Sequence, residues 1–263
     1  MLRTLYNLFD RKKRPLRQHS FIVFRDKGLA FGRVPGDPFL WALPVISALD
    51  SKSAAASPPK FRDTSCPPVW QSDIELLTAR ELKRRYPDMP VFACVQSPIE
   101  RVVSCYENVI LGDMPLTAYF AEKRFSKDMS ITAFAAKVAN LPDMNADNLL
   151  RNQTSILNHR KQLVPDLLVD IDSPDQQAGA LSRLLKAHGV KMPALKRISY
   201  SARHNVLTDE LLDSSAARLV RKRYARDAEL FNMPLYASGA TPKPLSSRPV
   251  MTNAVQADSA PRL

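Results

Sequence analysis

Two segments of this 263-residue chain concentrate groups that hold anions. The first is FGRVPGDPFLWAL, residues 31–43. A strand pattern ends at Val34, the chain turns through Pro35-Gly36-Asp37, and a helix can start at Pro38. Free N–H groups at such a helix start attract phosphate or sulfate. Arg33 and Lys27 are cations nearby. The GxxxxGK[ST] pattern of a Walker A loop is absent, and a plain structural turn is the alternative reading. The second segment is VFACVQSPIERVVSCYENV, residues 91–109. Ser97 reads as a helix cap, Pro98 as the first helical residue and Glu100 as the closing member of a capping box. Arg101 and Ser104 then share a helix face. A guanidinium fork beside a hydroxyl is a phosphate-holding pair. Alternatively, Arg101 pairs with a carboxylate and Ser104 packs neutrally. Val102, Val103 and Tyr106 suit the core in both cases.

Other reactive residue types show no organised pattern. Cys66, Cys94 and Cys105 lack CxxC or metal-ligand spacing, and His19, His159, His188 and His204 form no zinc motif. No metal site and no disulfide scaffold is expected, which fits a reducing compartment.

Placing the two segments requires alternating strands and helices. Phe21–Phe24 and Leu29–Val34 read as strands about an Asp26-Lys27-Gly28 turn, and Phe39–Leu49 as a helix. Residues 51–68, rich in Ser, Ala and Pro, read as a long loop of the kind that forms lids. Ser72 with Glu75 predicts a capped helix ending near Tyr86, before Pro87. Pro90–Val95 reads as a buried parallel strand. Helices follow over 98–109, 130–141 and 176–187, with a strand over 167–171. Thr208 is expected to cap a last long helix. Its apolar face takes Leu211, Leu212, Leu219, Val220 and Tyr224, with Phe231 near its end. This alternation predicts an α/β fold with a central, mostly parallel sheet and helices on both faces. Ligands of such folds bind at the carboxyl ends of the strands.

Composition bounds the setting. The chain is 45% hydrophobic and carries a formal charge of +12. A basic protein suits an anionic ligand, a nucleic acid or an anionic membrane. The apolar run Phe39–Leu49 is too short to span a bilayer, and residues 1–20 do not read as a signal peptide. Three regions are expected: a basic N-terminal segment over 1–20, a domain over 21–236, and a disordered tail over 237–263. Leu2, Leu5, Leu8 and Phe9 beside the Arg11–Arg14 cluster form a short amphipathic stripe suited to peripheral membrane contact. A cytoplasmic location, with possible attachment at the inner membrane surface, follows.

The second segment resembles the R-D-P-x-x-R-x-x-S-x-Y motif of the Golgi-type carbohydrate sulfotransferases and their bacterial relatives. Gln96-Ser97-Pro98-Ile99-Glu100-Arg101-Val102-Val103-Ser104-Cys105-Tyr106 keeps Pro98, Arg101, Ser104 and Tyr106. The first segment resembles the family's F-x-x-x-P-K segment, which wraps the 5'-phosphosulfate. Weaker similarities are Arg151–Leu157, Leu168–Asp172 and the closing Tyr224-x-x-Asp227-x-x-x-Phe231. The resemblance covers about residues 21–236. It implies a P-loop NTPase-like sulfotransferase fold, 3'-phosphoadenosine-5'-phosphosulfate as co-substrate, no metal, and sulfuryl transfer to a hydroxyl of a carbohydrate or glycolipid acceptor.

It also implies site residues. Pro35, Gly36 and Asp37 would face the 5' end, and Gln96, Ser97, Arg101 and Ser104 the 3'-phosphate. The departures fall at charged positions: Gly36 replaces the lysine, Gln96 the arginine, and Ser97 the aspartate. Losing one well-placed oxyanion donor costs about 3 kcal/mol of transition-state stabilisation. Arg33 or Lys27 could replace the lost cation, and Asp37 or His159 could act as base. Two competing readings are a catalytically inactive relative that binds a nucleotide or anionic glycan, and a basic nucleic-acid or membrane-binding protein. The latter draws on Arg218, Arg221, Lys222, Arg223 and Arg226. No specific nucleic-acid motif is present.

Overall fold

The computed structural model describes residues 17–50 and 74–231. The N-terminal stripe, the whole 51–68 loop, the expected helix cap Ser72 and the C-terminal tail therefore lie outside the described residues.

Five strands form the main sheet: β1 (Phe21–Phe24), β2 (Leu29–Gly32), β3 (Ile74–Leu77), β4 (Val91–Val95) and β7 (Leu167–Asp170), in the order β3-β1-β2-β4-β7. The β2–β4 and β4–β7 pairs are parallel, whereas β1 is antiparallel to both neighbours. The sheet is therefore mixed, with β1 alone reversed. Every residue of β1, β2 and β4 is buried, as expected where helices cover both faces.

The pleat divides their side chains. Ile22, Phe24, Phe31, Phe92 and Cys94 meet helix α1 (Asp37–Leu49) and helix α7 (Asp175–Ala187) on one face. Phe21, Val23, Ala93 and Val95 meet Leu82 of α2 (Ala79–Arg85) and Leu157 of α6 (Gln153–Leu157) on the other. A separate helical core joins α3 (Pro98–Tyr106), α4 (Ala118–Glu122), α5 (Ile131–Asn140), α8 (Ala202–Asp213) and α9 (Ser215–Arg223). Helix α10 (Ala225–Leu230) follows, and a two-stranded hairpin, β5 (Asn158–His159) with β6 (Gln162–Leu163), precedes β7.

Three expectations change. The helix predicted from Ser72 to Tyr86 is, in its described part from Ile74 onward, strand β3 followed by α2. Ile74–Leu77 pairs along the whole of β1, and this pairing outweighs local helix propensity. Thr78 and Glu81 form the capping box instead. The last long helix is three short ones, interrupted at Ser214 and Tyr224. Thr208 lies inside α8, whose cap is Ser201.

Candidate functional site

The carboxyl ends of β2, β4 and β7 lie side by side, and the chain leaving each contributes to one polar network. After β2, Gly36 has φ 95° and ψ −152° and starts α1. That backbone region is almost closed to side-chain-bearing residues, a physical reason for glycine where the family pattern has lysine. After β4, Ser97 caps α3 by accepting a hydrogen bond from the Glu100 N–H at 3.3 Å. The reciprocal half of the expected capping box is not the use made of Glu100, whose Oε2 lies 2.7 Å from Nε2 of His204.

A carboxylate from the third strand end reaches the start of α3. The Ser97 N–H donates to Asp172 Oδ2 at 2.8 Å, and the Tyr200 hydroxyl donates to Asp172 Oδ1 at 2.5 Å. Gln96 donates its side-chain amide to the Tyr200 oxygen at 2.9 Å and lies 3.5 Å from Asp37 Oδ2. Its backbone is clamped by Gln153. The Gln96 N–H donates to Gln153 Oε1 at 3.0 Å, and Gln153 Nε2 donates back to the Gln96 carbonyl at 2.7 Å. Gln153 is held by Asp227, which accepts from the N–H groups of Gln153 and Thr154 and from the Thr154 hydroxyl. Burial raises the Asp227 carboxyl above its usual range, against these hydrogen bonds. Burial likewise pushes Asp172 up to about 7, although the Tyr200 and Ser97 bonds favour its charged form.

This network borders an open cavity of about 470 Å³. Asp37 and Trp41 of α1 form one wall, Ser104 of α3 and Glu107 another, and the segment bearing Lys196, Arg197 and Tyr200 the third. Glu107 opens a π-helical turn, Glu107–Leu111, an irregularity frequent at functional sites. Trp41 ties down the third wall, its indole N–H donating to the Lys196 carbonyl at 2.9 Å. Arg197 is ion-paired with Asp175.

His204 lies beneath Tyr200, the rings stacked with centroids 4.1 Å apart. Its Nδ1 is 2.6 Å from Glu107 Oε2 and its Nε2 2.7 Å from Glu100 Oε2. Burial lowers the imidazole pKa, but the bonds to Glu100 and Glu107 outweigh it and leave it raised. With a carboxylate at each ring nitrogen, His204 has no nitrogen free to take a proton from a substrate.

The residues expected from sequence separate here. Asp37 and Ser104 line the cavity, and Gln96 and Ser97 stand behind it. Arg101 is buried and is not part of the cavity wall. Its guanidinium donates to the carbonyls of Arg151 at 2.5 Å and Asn148 at 2.7 Å, which ties α3 to the 148–151 loop. Arg33 is buried, its guanidinium carbon 5.9 Å from the Phe39 ring centroid. His159 stands on the β5–β6 hairpin and lines a different groove. Lys27 is ion-paired with Asp26 at the β1–β2 turn.

Lys196, Arg197, Tyr200, Asp172 and Glu107 were not anticipated. The segment 190–201 has no regular secondary structure, so periodicity carried no signal for it. The adjacent Lys196-Arg197 pair was the available clue. Among the described residues, no group of His, Cys, Asp or Glu could hold a metal ion, and no helix is long and apolar enough to cross a membrane.

The cavity lies at the carboxyl ends of the parallel strands, the place where α/β folds commonly bind ligands. A sequence profile described as "Sulfotransferase family" matches residues 48–236, and the chain belongs to that family. No curated protein and no solved structure matches it.

Proposed function

We propose that the chain is a sulfotransferase that uses 3'-phosphoadenosine-5'-phosphosulfate and a hydroxyl acceptor, a carbohydrate or a related molecule. The observation that carries this reading is Ser104. It stands at the motif position that would contact the 3'-phosphate, and it lines the cavity between the α1 start and a basic segment. Pro35, Gly36 and Asp37 would form the P-loop-like turn around the 5' end. Gln96 and Ser97 would border the 3'-phosphate through the α3 start. Arg101 positions α3 and does not itself contact the ligand. Lys196 and Arg197 supply cations that positions 36 and 96 lack.

In the reaction, the acceptor hydroxyl oxygen forms a bond to sulfur as the sulfur–oxygen bond to the 5'-phosphate breaks. Adenosine 3',5'-bisphosphate leaves. The hydroxyl proton passes to a carboxylate, for which Asp37 on the cavity wall is the best placed of the expected bases. His204 is unsuited because both of its nitrogens already face carboxylates.

A second reading, a family member that binds the nucleotide without catalysis, is favoured by Gly36, which leaves the 5' end without the expected lysine. Titration calorimetry with adenosine 3',5'-bisphosphate tests the site common to both readings. Ser104→Ala and Lys196→Ala should each weaken binding about tenfold, the worth of one lost charge-assisted contact. Absence of binding at millimolar ligand would remove the nucleotide site altogether. Acceptor-dependent release of the bisphosphate then separates the enzyme from the inactive relative.

A further inference from the structure

The segment 190–201 brings Lys196 and Arg197 to the cavity, yet its own backbone does little to fix it there. Among the described residues, no backbone–backbone hydrogen bond involves residues 191–200. Chain without such bonds takes its position from side-chain contacts. Met192, Leu195 and Ile198 rest half-buried on the core shared by the sheet, α1 and α7. The Lys196 carbonyl accepts from the Trp41 indole at 2.9 Å, and Arg197 pairs with Asp175 at the exposed start of α7. Tyr200 stands at the far end. Its hydroxyl donates to Asp172 at 2.5 Å and accepts from the Gln96 amide at 2.9 Å.

These contacts differ in how well they define a position. Apolar contact is non-directional, and an exposed ion pair holds its partners weakly. The Tyr200 hydroxyl uses both its donor and its acceptor capacity on groups that are themselves anchored. Asp172 also accepts from the Ser97 N–H at 2.8 Å, and the backbone of Gln96 is clamped by Gln153. One carboxylate therefore sets the end of the segment against the start of α3.

His204 secures the same ring from its face. The two rings are stacked, with centroids 4.1 Å apart and planes 11° from parallel. The imidazole is buried, with Glu107 at one nitrogen and Glu100 at the other. It cannot turn without breaking contact with both α3 and the π-helical turn. Ser201, between the two rings in sequence, accepts from the His204 N–H at 3.0 Å and fixes their spacing.

We infer that Tyr200 and His204 are positioning residues that hold Lys196 and Arg197 at the phosphate end of the cavity, an inference that rests on the nucleotide reading above. Tyr200 supplies the directional bonds, and His204 keeps its ring in the plane that those bonds require. The cations themselves are exposed, so their place relative to a ligand depends on this fastening.

The first measurement needs no nucleotide. Trypsin cuts after Lys196 and Arg197, and cleavage of folded protein tracks the population in which the segment is released. Tyr200→Phe keeps the ring on His204 and removes both hydroxyl bonds. In the full chain it should speed cleavage at these two sites about tenfold, the worth of two lost hydrogen bonds. Cleavage after Arg183 and Lys186, within α7, should stay at the wild-type rate. His204→Gln, which removes the stacked ring, should act in the same direction and supplies the answer if Tyr200→Phe does not fold. Wild-type rates at Lys196 and Arg197, or equal acceleration at every site, would overturn the inference.

The second measurement is calorimetry with adenosine 3',5'-bisphosphate. Tyr200→Phe should weaken binding severalfold. Lys196→Ala, worth about tenfold in the wild-type background, should cost less than about threefold in the Tyr200→Phe background, because a displaced lysine has little contact left to lose. An equal cost of Lys196→Ala in both backgrounds would show that Tyr200 does not act through the segment, and would overturn the inference. If the bisphosphate does not bind, the nucleotide reading fails, and the trypsin map still decides whether Tyr200 and His204 hold the segment.

Discussion

Asp172 makes the stability of the strand-end network depend on pH. Burial favours its neutral acid, so the folded protein keeps this proton up to about pH 7, while the carboxyl's ordinary value is 3.8. The unfolded chain therefore releases the proton first, and stability falls as pH rises through that window. At one pKa unit per 1.4 kcal/mol, and discounted for solvent at the cavity mouth, the loss is about 2–4 kcal/mol. Asp172→Asn cannot ionise and should lack this component. It should start about 1 kcal/mol less stable at acid pH, because the amide nitrogen, unlike the hydroxyl oxygen of the neutral acid, cannot accept a hydrogen bond, and should approach or exceed wild type by about pH 8. Urea unfolding of both proteins at intervals from about pH 4 to pH 8 measures the two slopes. The buried carboxyl Asp227, also raised by burial, contributes equally to both proteins and cancels in the difference. Parallel curves for wild type and variant would refute the reasoning.

Other outcomes follow from the same packing. Asp227→Ala strips acceptors from two N–H groups and one hydroxyl in a fully buried site and should destabilise by about 3–5 kcal/mol in urea unfolding. Gly32→Ala would place a Cβ 2.7 Å from Leu157 Cδ2 and 3.1 Å from Ala93 Cβ, an overpacking that should remove about 1–3 kcal/mol and lower the Tm. Burial raises the Cys94 thiol far above its usual range and the Cys105 thiol to about 12. Peptide mapping after iodoacetamide treatment of folded protein should find both unmodified, and both alkylated after unfolding.

The sheet was legible where the physics is local and strong. FIVF and VFACV are continuous apolar runs, and a strand buried on both faces requires them. Ser97-Pro98 marked the start of α3 because a cap and a first-turn proline are set by sequence alone. Ile74–Leu77 was misread because its strand state depends on β1, some fifty residues earlier in the chain. The site divided in the same way. Ser104, which lines the cavity, drew notice through its spacing within a motif. The partners of Arg101 were not, because they are the backbone carbonyls of Asn148 and Arg151, and no side-chain type identifies them. Tyr200 and Asp172 meet only after the whole of α7 and the segment beyond it have returned to the strand ends. Their residue types are ordinary, so sequence gave them no distinction. Gly36 shows the reverse case: a departure from the family pattern acquires a cause once its positive φ is known.

A structure of the protein with adenosine 3',5'-bisphosphate most directly addresses whether the strand-end cavity receives the nucleotide. The 3'-phosphate should lie about 3 Å from the Ser104 hydroxyl, with Lys196 or Arg197 turned toward a phosphoryl oxygen. Nucleotide bound elsewhere on the protein, or at the strand ends but with Ser104 and the Lys196-Arg197 segment out of contact, would contradict the account.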